Sequence, residues 1–138
     1  MINFYTETNF CIEHENEYFS WISACVKSNN FELGEINYIF VDDIYLHKMN
    51  KKFLNHDTFT DIITFDYSDE NLLSADIYIS IDRVKENAEK FKVEFYNELS
   101  RVLIHGILHL MGFKDKTEEE KMEMRKQENL CLKNLKFI

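Results

Sequence analysis

The chain has 138 residues, 45% of them hydrophobic, with 12 Phe and 7 Tyr, which is the composition of a globular protein able to bury about two thirds of its unfolded surface. Its 25 acidic residues exceed the 16 basic ones, and the net charge of −9 excludes strong non-specific binding to nucleic acid unless the basic residues gather on one face. No apolar run approaches the roughly 18 to 20 residues that cross a bilayer and no secretion signal begins the chain, so we predict a cytoplasmic protein that makes no membrane contact.

The cysteine pattern and the absence of linker segments indicate how the chain is organised. Cys11, Cys25 and Cys131 are odd in number, far apart and outside any CxxC pair, which argues against a disulfide framework and against a thiolate zinc site. We therefore predict that all three are reduced packing residues. Because the sequence has no proline, no internal repeat and no low-complexity segment, residues 1–138 are predicted to form a single domain.

The first half of the chain alternates between strand and helix patterns. INFYT predicts a short strand, HENEYFSWISACVKSNN a helix that ends near Asn29, and GEINYIFVDD a second strand. Asp42 and Asp43 are good helix starters for the segment IYLHKMNKKFL. The residues expected along one side of that helix are Leu46, Met49, Asn50 and Phe53.

The second half continues with two strand patterns and three helix patterns. DIITFDY and ADIYISI are expected to pair antiparallel across the turn-like segment SDENLL. A helix is predicted from Asp82 to a pause near Lys92, followed by a long, mostly buried helix through EFYNELSRVLIHGILHLM. Thr117 and Glu120 form a capping box that begins a last helix running towards Leu135. The sum is an α+β domain with about four strands in one mixed sheet, surrounded by four to five helices.

Two histidines lie in the apolar segment HGILHLMGFKD, at the end of the predicted central helix. His105 and His109 are one turn apart on the same helix face, so their imidazoles can converge on one ion. Gly112 suits the left-handed residue that commonly ends a helix, and the turn that follows would bring Asp115 to the same point. Three protein ligands that leave a fourth position open are typical of a catalytic zinc site. We therefore predict that His105, His109 and Asp115 bind one divalent metal ion, with Zn²⁺ favoured.

Two other interpretations of the histidine pair compete with this metal site. A histidine on an apolar helix face is more often a hydrogen-bonded core residue, but two neutral imidazoles in one apolar stripe are costly to bury without a strongly attractive partner. The spacing also matches the zinc-binding segment of metzincin-type proteases, which carry a glutamate as general base directly after the first histidine. That position is Gly106 here, and it has no side chain to accept a proton.

The same segment, HGILHLMGFKD, resembles the H-G-x-L-H-L-x-G-[YF]-D-H signature of the YbeY family. A second segment, MNKKFLNHDTFTDIITFDY, is similar to the family's L-N-x-x-Y-R-x-x-D-x-x-T-D-V-L-S-F-P stretch, and ADIYIS is similar to its G-D-I-x-I-S/C strand. The resemblance covers the chain from about Asp42 to about Glu128, in the family's order. It implies a metal-dependent endoribonuclease, specific for single-stranded RNA, that takes part in ribosomal RNA maturation and ribosome quality control.

The chain departs from the family pattern at two positions. Asp115, preceded by Lys114, stands where the family usually has its third histidine ligand. A carboxylate oxygen also binds zinc, but it is harder and charged, so a water on the ion should be less acidified and other divalent ions are accepted more readily. Leu54 stands where the family motif has an arginine thought to act on the RNA phosphate.

Leucine cannot bind phosphate, so either other residues contact the anion or turnover is slower than in the family. We predict that Lys51, Lys52 and His56 bind the substrate. Other residues of this segment are candidates for the wall of a substrate groove, although a capped turn before a strand is the commoner fate of such residues and is favoured for Asp57. These residues are Asn50, Asp57, Thr60 and Asp61.

The resemblance implies that His105, His109 and Asp115 are catalytic through a water on the metal ion, and that the partners are single-stranded RNA, ribosomal RNA and ribosomal or assembly proteins. Two functions from other classes compete with this one. A zinc peptidase would need a glutamate from elsewhere, for instance Glu98. A non-catalytic ribosome-assembly adaptor, in which the metal only stabilises the fold, is favoured by Leu54 in place of the arginine.

Overall fold

A four-stranded mixed sheet forms the centre of the molecule, whose computed structural model describes residues 1–56 and 59–138. The strands are β1 (Ile2–Thr6), β2 (Glu32–Val41), β3 (Ile62–Asp66) and β4 (Leu72–Ser80). Their order in the sheet is β1-β2-β4-β3, with β1, β2 and β4 parallel and β3 antiparallel to β4. The predicted antiparallel pairing of DIITFDY with ADIYISI is confirmed.

Five helices accompany the sheet in the described part of the chain. They are α1 (Glu15–Ser28), α2 (Asp43–Leu54), α3 (Ile81–Phe91), α4 (Phe95–Leu110) and α5 (Glu118–Leu132). The predicted α+β class and the order of elements are confirmed, although α5 ends at Leu132 and does not continue to Leu135. None of these helices has the length and apolar character that crossing a bilayer requires.

Side chains alternate across the sheet, and this divides the hydrophobic core into two layers. On one face, residues such as Tyr38 of β2 and Ile77 of β4 pack in one cluster with the buried sides of α1 and α4. On the other face, α2 covers a smaller cluster built on Val41, Leu46 and Ile63. The larger layer therefore holds α4, the helix that carries both histidines of the predicted site.

Two of the predicted packing residues lie at the surface. Phe53 is predicted on the buried side of α2 but is 56% exposed. It lies in the last turn of that helix, where its ring meets Phe65 edge-on at the rim of the smaller cluster. Of the cysteines, Cys25 and Cys131 are buried as predicted, whereas Cys11 is exposed in the segment between β1 and α1.

Helix α4 lies between the sheet and α5, and only one row of its side chains reaches the surface beyond the first turn. Between residues 98 and 110, every residue is buried except Arg101, His105 and His109, which are half-buried. A spacing of four places these three side chains in one row along the helix. The fold therefore directs both histidines to the only open side of an otherwise buried helix segment.

Candidate metal centre

The C-terminal end of α4 turns sharply at Gly112, whose φ of 100° lies in the left-handed region. The N–H of Gly112 donates to the carbonyl of His109 over 3.0 Å, and the N–H of Phe113 donates to the carbonyl of Leu108 over 3.1 Å. These two bonds form a Schellman motif, in which a residue with a β-carbon would be strained. The predicted helix end is confirmed, and the turn brings Asp115 back towards the histidines.

Three ligand-type atoms meet where α4 ends. The Nε2 atoms of His105 and His109 lie 3.0 Å apart, and Oδ2 of Asp115 lies 3.3 Å from each of them. No other group of three His, Cys, Asp or Glu side chains in the described part of the chain comes as close together. A tetrahedron with metal–ligand bonds of about 2.0 to 2.1 Å has edges of about 3.3 to 3.4 Å. The distances therefore fit a small divalent ion such as zinc.

The partners of the outer ring nitrogens determine which nitrogen of each imidazole carries the hydrogen. Nδ1 of His109 lies 2.9 Å from the carbonyl oxygen of Phe113, which only accepts, so this Nδ1 must donate. Nδ1 of His105 lies 2.7 Å from a carboxylate oxygen of Glu128 and donates to it in the same way. Each neutral imidazole then turns the lone pair of Nε2 towards its neighbour and towards Asp115. Three lone pairs so close together repel one another unless a proton or a metal ion is shared among them.

Glu128 connects the candidate metal centre to α5. Its side chain is only 4% exposed, and its second oxygen accepts from Nη1 of Arg101 over 2.8 Å. Burial raises the pKa of Glu128, but the hydrogen bonds from His105 and Arg101 outweigh burial and hold the pKa below its usual value. An ionised carboxylate that accepts from the outer nitrogen of a ligating histidine orients the ring and increases its basicity.

The electrostatic surroundings of His105 attract positive charge. Burial lowers the pKa of this imidazole, but the hydrogen bond to Glu128 and the negative charges of Glu128, Asp61 and Asp115 outweigh it. The resulting pKa lies above the usual 6.5. The same carboxylates that favour a proton on the ring would favour a metal cation at the point where the ligand atoms meet.

Gly106 sets the distance between α4 and the sheet. A β-carbon at this position would lie 3.1 Å from Cδ1 of Ile62 and 3.2 Å from Cδ1 of Ile77, so the glycine faces β3 and β4 at closer than ordinary contact. This approach places the start of β3 beside His105. Burial raises the pKa of Asp61, the residue before β3, and the charge of His105 counteracts this effect. Gly106 therefore allows close packing of α4 on the sheet.

A second buried acid lies farther along α4. Glu98, the residue considered as a peptidase base, is 5% exposed in the first turn of the helix. Burial raises its pKa, and the charge of Arg101 offsets part of the increase. Glu98 lies seven residues before His105, which is about 10 Å along a helix axis. It is therefore not a member of the ligand cluster.

The predicted substrate residues lie on a separate element. Lys51 and Lys52 are exposed in the last turn of α2, and His56 is exposed two residues beyond the end of that helix. Leu54 is 43% exposed in the same turn. These side chains lie at the surface, and their role in substrate binding stays a prediction.

The groove residues named from the resemblance fall into different environments. Asn50 is buried, and its carbonyl accepts from the N–H of His56. The hydroxyl of Thr60 donates to the carbonyl of Ile62, in the manner of a turn before a strand. The interpretation of Asp57 lies outside the described residues.

Sequence reasoning missed two contributors to the candidate centre, Glu128 and the carbonyl of Phe113. The carbonyl leaves no trace in side-chain chemistry. Glu128 did leave one, because it interrupts the apolar stripe of α5 between the buried residues Met124 and Cys131. A glutamate on a buried helix face is rare unless it is paired, and this could have marked it as a functional residue.

Comparison with known proteins finds relatives along nearly the whole chain. The family model for endoribonuclease YbeY matches residues 2–136. An endoribonuclease YbeY from Christiangramia forsetii is 54% identical over 127 residues, which cover 92% of this chain and 89% of the relative. One from Karelsulcia muelleri is 49% identical over 136 residues, which cover 99% and 96%. The solution structure of TM1509 from Thermotoga maritima matches with a TM-score of 0.65 at 28% identity, covering 96% of this chain and 90% of that one.

The raised pKa of Glu98 predicts a pH-dependent cost to stability. Above the ordinary value of 4.5 the carboxyl ionises in the unfolded chain, whereas burial keeps it protonated to a higher pH in the folded state. Stability therefore falls as the pH rises from 4.5 through the folded-state pKa. We expect Glu98→Gln to melt at a higher temperature than the wild type at neutral pH, with the difference vanishing in acid. The exposed Glu89→Gln serves as the control in melting curves, and equal shifts for the two variants would contradict this.

The hydrogen bond from His105 predicts that Glu128 increases metal affinity. Replacing a carboxylate that orients a ligating histidine typically weakens metal binding by about 10- to 100-fold. We expect Glu128→Gln to raise the zinc dissociation constant by that factor in a competition titration with a chromophoric chelator. Glu123→Gln, an exposed change on the same helix, should leave the constant unchanged. An unaltered constant in Glu128→Gln would disprove the orienting role.

Proposed function

This chain belongs to the endoribonuclease YbeY family, and from that premise we propose that it cleaves single-stranded RNA in a metal-dependent reaction during ribosomal RNA maturation and ribosome quality control. Cleavage of RNA is the activity for which its relatives are named. We place this activity in the cytoplasm, with ribosomal RNA as substrate and ribosomal or assembly proteins as partners.

The observation that carries the proposal is the convergence of three lone-pair atoms at 3.0 to 3.3 Å, on His105, His109 and Asp115. We propose that these residues hold one divalent ion, and that the ion is Zn²⁺. Two imidazole nitrogens and one carboxylate oxygen suit zinc, and three protein ligands leave a fourth position for substrate or water. When bound, such an ion supplies Lewis acidity to a phosphodiester and lowers the pKa of a water molecule.

Neighbouring residues orient the three proposed ligands. Glu128 and the carbonyl of Phe113 hold the Nδ1 hydrogens and fix the direction of each imidazole. The turn at Gly112 holds Asp115 against both rings. Since these partners lie within one helix, one turn and one neighbouring helix, the ligand atoms are in position before an ion arrives, and little reorganisation opposes binding.

Substrate contacts are proposed at the end of α2. Lys51, Lys52 and His56 are exposed next to Leu54, the position at which the family motif carries an arginine. A lysine offers a single ammonium charge to a phosphate, whereas an arginine offers a planar pair of donors. We infer that this chain binds the phosphate with less geometric specificity than an arginine-bearing relative would.

The exposed Leu54 supports one competing function, a non-catalytic assembly adaptor. A solvent-exposed leucine in place of a phosphate-binding arginine suits protein contact better than catalysis on an anion. We favour the endoribonuclease because the ligand cluster leaves a position open, which an ion with a purely structural role does not need. The peptidase alternative receives no support from Gly106, which faces Ile62 and Ile77.

Removal of a ligand is expected to abolish both metal content and cleavage. His109→Ala should lose its metal and lower the rate of RNA cleavage by about a thousandfold, since a catalytic metal supplies several kcal/mol of transition-state stabilisation. Metal analysis and cleavage of a single-stranded oligonucleotide measure the two effects. His14→Asn is the matched control, because His14 is exposed and has a φ of 64°, which asparagine tolerates. Wild-type activity in His109→Ala would refute the proposal, and metal-dependent hydrolysis of casein would revive the peptidase.

Restoring the family arginine tests whether catalysis or adaptor function is correct. Leu54→Arg adds a charge-assisted hydrogen bond to a phosphate, which contributes about 1.5 to 3 kcal/mol. We expect kcat/KM on single-stranded RNA to rise by about 10- to 100-fold, with Leu54→Gln as an uncharged control. If the metal-loaded wild type leaves RNA intact while Leu54→Arg cuts it, the adaptor function is favoured.

A further inference from the structure

Helix α5 presents a basic surface, although the helix begins with a run of acidic residues. Residues 118–120 are three glutamates, but residues 121–138 contain five basic and two acidic residues, against 11 basic and 23 acidic residues in the rest of the chain. Helical spacing gathers most of these bases on the exposed side of α5. We call the polar part of this surface the α5 basic strip, and it consists of Lys121, Arg125, Lys126, Asn129 and Lys133, with Met122 and Leu130 exposed among them.

Direct contacts connect the α5 basic strip to the candidate metal centre. Nη2 of Arg101 donates to Oδ1 of Asn129 over 3.1 Å, while its Nη1 binds Glu128. Nη1 of Arg125 lies 3.9 Å from the same Glu128 oxygen. The other oxygen of Glu128 accepts from His105. One buried carboxylate therefore contacts a proposed metal ligand on one side and lies close to Arg125 of the strip on the other.

Acidic neighbours neutralise little of the strip. Lys121 lies 3.7 Å from Glu118, but both side chains are largely exposed, and such pairs contribute little because solvent screens them. Arg125 shares Glu128 with Arg101, so one carboxylate faces two guanidinium groups. Lys126 and Lys133 are exposed on the outer side of the helix. The strip thus keeps most of its positive charge in a molecule whose net charge is −9.

We propose that the α5 basic strip binds the phosphodiester backbone of single-stranded RNA and guides it to the ligand cluster. This inference rests on the RNA substrate of the proposed function and adds a second contact surface to the end of α2. A chain of net charge −9 repels a polyanion, so binding requires a local basic surface. From Lys121 to Lys133 the strip spans about 18 Å of helix, enough to contact several consecutive phosphates.

The test compares two triple variants with the same net charge. Lys121→Gln, Lys126→Gln and Lys133→Gln remove three exposed charges from the strip and leave Arg125 and its contact with Glu128 intact. Lys27→Gln, Lys85→Gln and Lys90→Gln remove three exposed charges from α1 and α3. Each triple changes the net charge from −9 to −12. Melting curves verify that both variants stay folded.

Binding is measured with the metal-loaded proteins and a fluorescent single-stranded oligouridylate whose riboses are 2′-O-methylated, between about 50 and 200 mM salt. Each phosphate contact on single-stranded nucleic acid contributes about 0.7 to the slope of log affinity against log salt. We expect the strip triple to bind at least about tenfold more weakly at low salt and to lose about 2 from the slope. The control triple should stay within about twofold of the wild type, with an unchanged slope.

Equal loss in both triples would show that net charge alone matters, and the inference would be overturned. No loss in the strip triple would overturn it as well. Cleavage of unmodified RNA by the same samples separates this inference from the proposed function. If the wild type cuts RNA and the strip triple binds and cuts as the control triple does, the role of the strip is disproved and the proposed function stands. If the wild type does not cut RNA, the proposed function is disproved. Loss of RNA binding in the strip triple alone would still support RNA binding by the strip.

Discussion

Two imidazole nitrogens and one carboxylate oxygen are held with their lone pairs directed at one another, and the rest of the structure serves to keep them there. The Nε2 atoms of His105 and His109 lie 3.0 Å apart because each outer nitrogen is bound to an acceptor, Glu128 in one case and a backbone carbonyl in the other. In the absence of a shared cation this arrangement is repulsive. The fold therefore preforms an arrangement that a shared proton or a metal ion stabilises, so little reorganisation opposes ion binding.

The position of α4 makes this arrangement possible. Its neighbours on the sheet side are buried and mostly apolar, and the hydroxyl of Tyr38 on β2 donates to the carbonyl of Leu103, so the helix has little freedom to rotate or shift along its axis. Only Arg101, His105 and His109 are not fully buried in this part of the helix. Glu128 on α5 pairs with Arg101 and His105 through charge instead of apolar contact. A rigid, mostly apolar support with a single polar row meets the general requirement for holding ligands to within a fraction of an ångström.

Local sequence patterns predicted much of this structure, and the failures have physical reasons. Strand and helix periods placed the elements, and the spacing of His105, His109 and Asp115 predicted that these side chains meet, because a helical turn and a glycine turn are local geometry. Glu128 escaped prediction because its partner is 23 residues away on another helix. Phe53 was placed on the buried side of α2 because a helical period does not show where the underlying sheet ends. The α5 basic strip was hidden for a similar reason, since neighbouring glutamates mask the lysines in any local charge count.

The glycine that faces the sheet has a consequence for how this chemistry can diverge. A side chain at residue 106 would press on the terminal carbons of Ile62 and Ile77, so either these isoleucines would shift or α4 would move away from the sheet and carry His105 with it. A descendant that acquired a proton-accepting glutamate at this position would have to repack this contact, next to His105, in the same step that gave it a base. Steric contact at the helix–sheet interface thus opposes the exchange of this glycine for the glutamate of a peptidase-type site.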